Sequence, residues 1–252
     1  MSRGLIRGLS IPVIAILVIL NGPNGVGTSA AAGTDPRFPA VLQRFLSLDD
    51  PSPVSYRVLR HLDARNQGLN KTAWMDVWTE SDQSGGFAYT VVAQGGSGYI
   101  RSKVFLASLE KEKKMYEEGE PSRAGLTPDN YLFAEGAAAD GLSGVVVTPR
   151  RKDVLLIDGS IFLRPEDGEL VRVEGQLSKA PSFWIRRVKI VQSYQRIAGV
   201  RMPTVVEAVA NIFLFGKATF RMTYDYEIVN GHRVGAPEPR LAKAGSLADA
   251  EP

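Results

Sequence analysis

Residues 217–229, KATFRMTYDYEIV, alternate between polar and apolar side chains and decide the fold class. Apolar side chains occupy every second position from Ala218 to Ile228, and Lys217, Arg221 and Asp225 are among the residues between them. A period of two residues is that of a β-strand with one buried face and one solvated face. The segment therefore predicts a long strand of an antiparallel sheet that has an apolar core on one side and water on the other.

The same period recurs along most of the chain. Three strands are predicted before residue 95, at about 54–63, 71–80 and 87–93. About seven more follow Tyr131, at roughly 131–137, 144–149, 153–164, 169–177, 183–194, 200–214 and 217–229. Turn dipeptides such as Asp158-Gly159 and Asp167-Gly168 lie between or within them. Strands that are joined by such short turns are antiparallel neighbours.

Two helices are predicted beside the strands. The first covers Asp35–Leu48, with Asp35-Pro36 as cap and first helical position. The second covers Tyr99–Glu118, where Ile100, Val104, Phe105, Leu109 and Tyr116 fall on one apolar stripe. The charge run from Glu110 to Lys114 is interpreted as a solvated face of this helix.

These elements predict an α+β fold: a single strongly curved antiparallel sheet of about ten strands, an incomplete β-barrel, with helices covering its concave apolar face. Two helices can cover only part of so large a concave apolar face. Either the concave side encloses an apolar cavity, or the helices and side chains fill it completely. The pattern of residues leaves both alternatives open.

Residues 1–32 have the features of a cleaved signal peptide. Arg3 and Arg7 precede an apolar run of ten residues, 11–20, and cleavage is expected after Ala32. Ten helical residues rise about 15 Å, roughly half of a hydrocarbon core, so an uncleaved membrane anchor is the weaker alternative. We therefore expect a periplasmic protein with no transmembrane segment in the mature chain, a carrier-like domain over 33–230, and a flexible tail over 231–252.

Composition excludes several classes of function. Without the two arginines of the leader the chain carries 28 cations and 27 anions, and a near-neutral surface gives no electrostatic reason to expect nucleic acid or an anionic membrane as partner. The absence of cysteine removes thiolate nucleophiles, thiolate metal sites, disulfides and an acylated cysteine anchor.

A catalytic or cofactor site is not predicted either. His61 and His232 are the only histidines, and no nucleophile elbow, Walker loop or dinucleotide glycine motif occurs. Ser108–Lys111 matches Ser-x-x-Lys, but the other motifs of that enzyme class are missing. We expect a protein that is not an enzyme and that has no cofactor and no metal.

Several short segments of the sequence lie on the predicted hairpins. They are 147–153 (VTPRRKD), 155–159 (LLIDG), 167–175 (DGELVRVEG), 181–184 (PSFW) and Met202-Pro203. Together with the order of elements over residues 36–230, they resemble the periplasmic lipoprotein-carrier superfamily. This superfamily contains the outer-membrane lipoprotein-sorting proteins (LolA/LolB-like carriers) and the N-terminal domain of regulators of the envelope-stress sigma factor.

The resemblance implies a half-barrel whose helices form a lid over an apolar interior that holds the acyl chains of a lipoprotein or another lipid, for transfer toward the outer membrane. It also implies membrane-bound donor and acceptor proteins as partners, and we expect a monomer. The helix Tyr99–Glu118 and the loop 119–128 are the lid candidates. In the sorting carriers an arginine on an early strand helps to latch the lid, and Arg57 or Arg60 occupies a comparable strand.

The predicted ligand-binding residues are apolar side chains that could line the interior: Tyr56, Val58, Trp74, Trp78, Phe87, Tyr89, Ile100, Val104, Phe105, Trp184, Ile190, Phe220, Met222 and Tyr224. Each could instead belong to an ordinary packed core. Two other functions stay open: an envelope-stress sensor that binds lipoprotein or a membrane partner, and a hydrolase, which the missing nucleophile–base pair makes the weakest of the three.

Overall fold

The computed structural model describes residues 39–48, 53–82, 86–118, 125–183 and 185–240, and within them eleven strands form one antiparallel sheet. The strands are β1 Tyr56–Asn66, β2 Lys71–Ser81, β3 Phe87–Gly96, β4 Tyr131–Glu135, β5 Ser143–Pro149, β6 Ile157–Leu163, β7 Leu170–Leu177, β8 Ile185–Ile197, β9 Val200–Ile212, β10 Gly216–Val229 and β11 His232–Arg233. The predicted signal peptide lies outside the described residues.

The sheet is open and follows the order β3-β2-β1-β10-β9-β8-β7-β6-β5-β4, with β11 paired to β10. Neighbours in this order are also neighbours in sequence, except where β1 pairs with β10 and joins the two halves of the chain. β3 and β4 are the two edges of the path, so the barrel is not closed. The prediction of one open antiparallel sheet of about ten strands is confirmed.

Strand β10 shows how the sequence pattern builds the core. The alternate residues Ala218, Phe220, Met222, Tyr224 and Tyr226 are all buried, and the residues between them face outward. A register shift at Arg57/Val58 of the neighbouring strand β1 changes the phase near the end of β10. Val229 is therefore fully buried in place of Ile228, because a bulge moves the following side chains to the other face.

Two helices are present in the described residues. α1 covers Ala40–Ser47, and the predicted start at Asp35 lies outside the described residues. α2 covers residues 98–118 as three consecutive segments: Gly98–Ile100, the π-helical Arg101–Leu106, and Ala107–Glu118. The chain enters α2 from β3 through Gly96, whose φ of +77° suits glycine, and Ser97 caps the helix. Neither helix has the length and hydropathy that a membrane span requires.

The helices cover different parts of the concave face. Leu42 and Phe45 of α1 are buried in the core, and Gly168 in the β6–β7 turn gives α1 room, since a Cβ there would lie 2.8 Å from the Phe45 nitrogen. α2 packs against β2 and β3 at the other end of the sheet. Four side chains of α2 join the core cluster with the sheet: Ile100, Val104, Phe105 and Leu109. The side chains of both helices therefore pack directly against the parts of the concave face that they cover.

Residues 234–240 form a C-terminal strap across the outer, convex face of the sheet. β11 pairs with β10, and the Val234 nitrogen donates to the Glu227 carbonyl at 2.9 Å. The strap ends at Arg240, whose backbone nitrogen donates to Asp76 Oδ2 at 2.6 Å. These residues belong to the predicted flexible tail, yet they are bonded to the sheet. Residues 241–252 lie outside the described residues.

Candidate functional site

The structure brings most of the predicted lining residues together on the concave face. One continuous core cluster contains Tyr56, Val58, Ile100, Val104, Phe105, Ile190, Phe220, Met222 and Tyr224. Phe87 and Tyr89 lie on β3 beneath α2, where Phe87 stacks on the Tyr116 ring at 5.1 Å between centroids. Trp184 lies outside the described residues. Whether any of these residues binds a ligand stays a prediction.

Trp74 and Trp78 are not part of this concave face, so the prediction that they line it is wrong. Ala73, Met75 and Val77 of the same strand point into the core instead. Both indoles face outward under arginine side chains: Arg57 lies 4.5 Å from the Trp78 ring centroid and Arg240 lies 5.0 Å from the Trp74 ring centroid. Large apolar groups therefore lie on both faces of β2. On the outer face, guanidinium groups shield the two indole rings from water.

The central polar feature of the concave side is an ion pair between β1 and α2, which we call the latch. Arg60 is 1% exposed and lies between Val58 and Leu62 on the buried face of β1. Its two terminal nitrogens donate to the two carboxylate oxygens of Glu112 on α2, at 2.6 and 3.0 Å. Glu112 is 2% exposed. This bidentate geometry is the strongest that an arginine and a carboxylate form.

Aromatic rings surround the latch. The Arg60 guanidinium lies 5.2 Å from the Tyr224 ring centroid and 5.7 Å from that of Phe87. The hydroxyls of Tyr56 and Tyr116, one on β1 and one on α2, are 3.1 Å apart. Burial by itself would lower the pKa of Arg60, but the Glu112 carboxylate more than offsets it and raises the pKa well above its ordinary value. The guanidinium is therefore charged throughout the physiological range.

Two polar atoms beside the latch have no hydrogen-bond partner among the described residues: Arg60 Nε and the Tyr224 hydroxyl. Burial raises the pKa of Tyr224 well above 10, so that its hydroxyl stays protonated. Both atoms are therefore buried donors, and an unmade hydrogen bond at such a group costs about 1–3 kcal/mol. The site presents two donors to any polar acceptor that enters beneath α2.

Polar contacts hold the C-terminal part of α2 against the sheet. Besides Glu112 and Tyr116, Glu110 accepts a hydrogen bond from the Tyr89 hydroxyl. Burial, followed by the nearby Glu110 carboxylate, raises the pKa of Tyr89 to about 12. The first half of α2, by contrast, meets the sheet through apolar side chains such as Ile100, Val104 and Phe105. The helix therefore combines an apolar underside with a polar fastening.

Sequence reasoning placed Glu112 in a solvated charge run and missed its role. A signal for it exists, because Glu112 follows Leu109 by three positions and precedes Tyr116 by four. It therefore falls on the same helical stripe as the buried residues. The family resemblance leaves Arg57 and Arg60 open as the arginine that contacts the lid, and in the structure Arg60 is the one that bonds to α2. Arg57 faces outward, where it forms ion pairs with Glu80 and Glu227.

A second polar cluster lies on the outer face. Asp76 is fully buried there. Its Oδ1 accepts a hydrogen bond from Arg240 Nε at 2.6 Å and lies 3.0 Å from His61 Nδ1. Burial alone would raise the pKa of Asp76, but the hydrogen bonds from Arg240 and His61 lower it. Arg240 also reaches Asp63 at 2.8 Å. In the described residues no group of three or more histidines and carboxylates could hold a metal ion.

Two cavities open beside the strap and across the outer face. The first, of about 530 Å³, lies between residues 234–238 and strands β8 to β10. The second, of about 500 Å³, crosses β2, β1, β10 and β9 at the level of Trp74 and Arg221. Charged side chains such as Asp63, Arg65 and Glu207 line the second cavity, so it lacks the dry wall that an acyl chain needs.

Comparison with known proteins assigns neither a family nor a function to the chain. No family model matches the chain, and no curated protein sequence does. Among solved structures, the crystal structure of a DUF1329 family protein from Desulfovibrio piger is similar over 70% of this chain and 87% of that chain, with 10% sequence identity and a TM-score of 0.34. A likeness at this level carries no inference about function.

Proposed function

We propose that this protein is a periplasmic, non-enzymatic carrier that binds the acyl chains of a lipoprotein or another lipid beneath α2 and transfers them toward the outer membrane. One observation carries the proposal: a buried, bidentate ion pair, Arg60–Glu112, fastens the apolar underside of α2 to the concave face of an open sheet. α2 acts as the lid, and the latch holds it closed.

The ion pair suits a lid better than a permanent core element. Replacing a buried pair by apolar residues of similar volume is often neutral or stabilising, so Arg60 and Glu112 are not the most stabilising pair for a static contact. When the lid opens, water solvates both charges, and a pair of leucines would gain no such compensation. The latch therefore lowers the free-energy difference between the closed and the open lid.

An acyl chain would take the place of the lid's own side chains. Ile100, Val104, Phe105 and Leu109 are all less than 6% exposed against the sheet. When α2 moves away, the apolar wall that they cover becomes available to a lipid tail. Each CH₂ group that leaves water for such a wall gains about 0.8 kcal/mol, and a tail of about sixteen carbons gains on the order of 12 kcal/mol. That gain can offset the loss of the closed lid contacts.

The donors beside the latch suit the polar end of such a lipid. Arg60 Nε and the Tyr224 hydroxyl are buried and lack partners, and an ester or amide carbonyl is an acceptor that both could bind. We infer that the carbonyl group nearest the acyl tail lies between them in the loaded carrier. Membrane-bound donor and acceptor proteins would then load and unload a monomeric carrier.

Uptake of a fluorescent fatty acid by the delipidated protein tests the proposal. Glu112→Gln weakens the latch, and we expect lipid to bind and exchange about tenfold faster or more. Arg60→Met/Glu112→Leu closes the lid with apolar contacts, and we expect slower exchange than in the parent chain. Lys113→Gln changes an exposed charged residue of the same helix and serves as the matched control.

Native mass spectrometry of the protein as purified from cells provides the second readout, in which we expect co-purified lipid. The proposal fails if the parent chain and Glu112→Gln bind neither the fluorescent fatty acid nor a co-purified lipid while both are folded. It also fails if lipid binds with rates that both latch variants leave unchanged, because binding would then not involve the space beneath α2.

A further inference from the structure

The turns at one end of the sheet form a surface that we call the basic rim. At this end β1, β3, β5, β7 and β9 finish, and the next element of the chain begins. The rim consists of residues 67–71, 97–103, 127–130, 150–154, 178–183 and 213–217. α2 starts on this rim, so the rim borders one end of the space that α2 covers.

Backbone hydrogen bonds join these turns into one continuous edge. The Gln67 nitrogen donates to the Lys217 carbonyl at 2.9 Å, and the Ser97 nitrogen donates to the Thr72 carbonyl at 2.8 Å. Ile185 pairs with Ile212, which sets the turn before β8 beside the turn after β9. Farther along, the Ser178 nitrogen donates to the Leu156 carbonyl at 2.8 Å.

The rim carries an unusual share of the exposed apolar surface. Nine large apolar side chains of the described residues are exposed, and five of them lie on the rim: Leu69, Tyr99, Phe183, Phe213 and Leu214. Phe183 is 88% exposed and Leu214 is 77% exposed. They come from four different turns, so no single loop conformation explains them. Clustered apolar tips mark a surface that meets another molecule or a membrane.

The charge of the rim is also one-sided. Its six segments carry eight lysines and arginines but only two carboxylates, Asp129 and Asp153. Lys71, Lys179 and Lys217 are exposed next to the apolar tips, and Arg150–Lys152 extend the positive charge toward β4. The near-neutral composition of the chain hides this segregation of charge.

The turns at the opposite end of the sheet do not share this excess of cations. The described turns there are residues 82 and 86, 136–142, 164–169, 198–199 and 230–231, and they carry five carboxylates against Arg164 alone. Three of the five are paired with arginines, namely Asp140 with Arg172, Asp167 with Arg164, and Glu169 with Arg196 and Arg201, so the excess of charge lies at the basic rim alone. A negatively charged surface attracts the basic rim, which orients the protein before contact.

We propose that the basic rim binds the surface of an anionic phospholipid bilayer, with Phe183 and Leu214 inserted at the level of the headgroups. Apolar and aromatic tips with flanking lysines and arginines are the combination that binds such interfaces. Charge selects this partner over a second copy of the chain, since two rims face to face would oppose eight cations with eight cations. The proposal depends on the surface alone and not on lipid carriage beneath α2.

Vesicle flotation tests the proposal, with the parent chain and variants sharing the same N-terminal residues. The vesicles are pure phosphatidylcholine or phosphatidylcholine with about 30% phosphatidylglycerol, at about 0.05 M and 0.5 M salt. We expect binding to the anionic vesicles at low salt and loss of binding at high salt. Phe183→Asp/Leu214→Asp should bind at least tenfold less, while Val54→Asp/Val92→Asp, which adds the same charge elsewhere, should bind as the parent chain does.

A second pair of variants, one on the rim and one away from it, tests the contribution of charge. Lys179→Gln/Lys217→Gln should weaken binding about fivefold for each cation removed, whereas Lys113→Gln/Lys189→Gln removes the same charge away from the rim and should have a small effect. The proposal is overturned if the parent chain ignores anionic vesicles, or if rim and control variants lose binding equally. A dimer that Phe183→Asp/Leu214→Asp dissociates, without vesicle binding, would assign the rim to a second copy and overturn it too.

Discussion

Breaking the latch from one side should destabilise the protein far more than removing it from both sides. In Glu112→Gln the guanidinium of Arg60, which is 1% exposed, keeps its charge but loses its charged partner. Leaving one charge of a buried pair uncompensated costs about 3–5 kcal/mol. Glutamine keeps the size of the side chain and one hydrogen bond, so we expect about 3 kcal/mol, which is roughly a hundredfold in the unfolding equilibrium.

The double variant Arg60→Met/Glu112→Leu removes both charges and keeps most of the volume. We expect its free energy of unfolding to lie within about 1 kcal/mol of the parent value, or above it. The single variant Arg60→Met leaves the carboxylate of Glu112 alone, so it should lose as much as Glu112→Gln. The exposed control Lys113→Gln should lose less than about 1 kcal/mol.

Urea unfolding followed by circular dichroism gives the four free energies, and hydrogen exchange locates the change. In both single variants the amides of α2 should exchange faster, while those of β8 and β9 keep their protection relative to the global stability. If both single variants unfold within about 0.5 kcal/mol of the parent chain and α2 stays protected, the ion pair does not fasten the helix and the reasoning is wrong.

Three further outcomes follow from other contacts. A Cβ at residue 235 would lie 2.5 Å from the Tyr226 carbonyl oxygen, so Gly235→Ala should displace the strap and change the fluorescence of Trp74, which Arg240 covers, whereas Ala236→Ser should not. Because the folded state lowers the pKa of Asp76, its stabilisation is present above the ordinary carboxyl pKa and is lost as the pH falls below it. The urea midpoint should therefore fall more between pH 7 and about pH 3 in the parent chain than in Asp76→Asn, and equal falls would contradict this. Burial raises the pKa of Tyr56 to about 12 and those of Tyr116, Tyr224 and Tyr226 well above 10, so their stabilisation is present below pH 10 and is lost at higher pH. Ultraviolet titration near pH 11 should show at least four of the eight tyrosines still protonated in the folded chain, and full ionisation there would refute the burial argument.

Local periodicity predicts the strands well because side-chain alternation needs only neighbouring residues. β10 and the order of elements follow directly from residues 217–229 and their counterparts. The sequence does not predict which face of β2 is buried in the core, since Trp74 and Trp78 alternate with the equally apolar Met75 and Val77. Pairing with β1 and cover from Arg57 and Arg240 decide that choice, and both come from distant parts of the chain.

The polar contacts of the site are harder to predict than the strands. The two residues of the latch are 52 positions apart, and Arg240 is 164 positions from Asp76. A single sequence contains no information that pairs such residues. Helical spacing does place Glu112 on the buried stripe of α2, so a buried carboxylate could be predicted there, but its partner could not.

The pairing of β1 with β10 has a consequence for how the chain is made. Tyr56 pairs with Val229, so the first three strands remain without their central neighbour until almost the whole chain has been synthesised. Contacts of such long sequence separation form slowly, because the intervening loop must first close. Strands β1 to β3 therefore join the rest of the sheet late, after β10 has been synthesised.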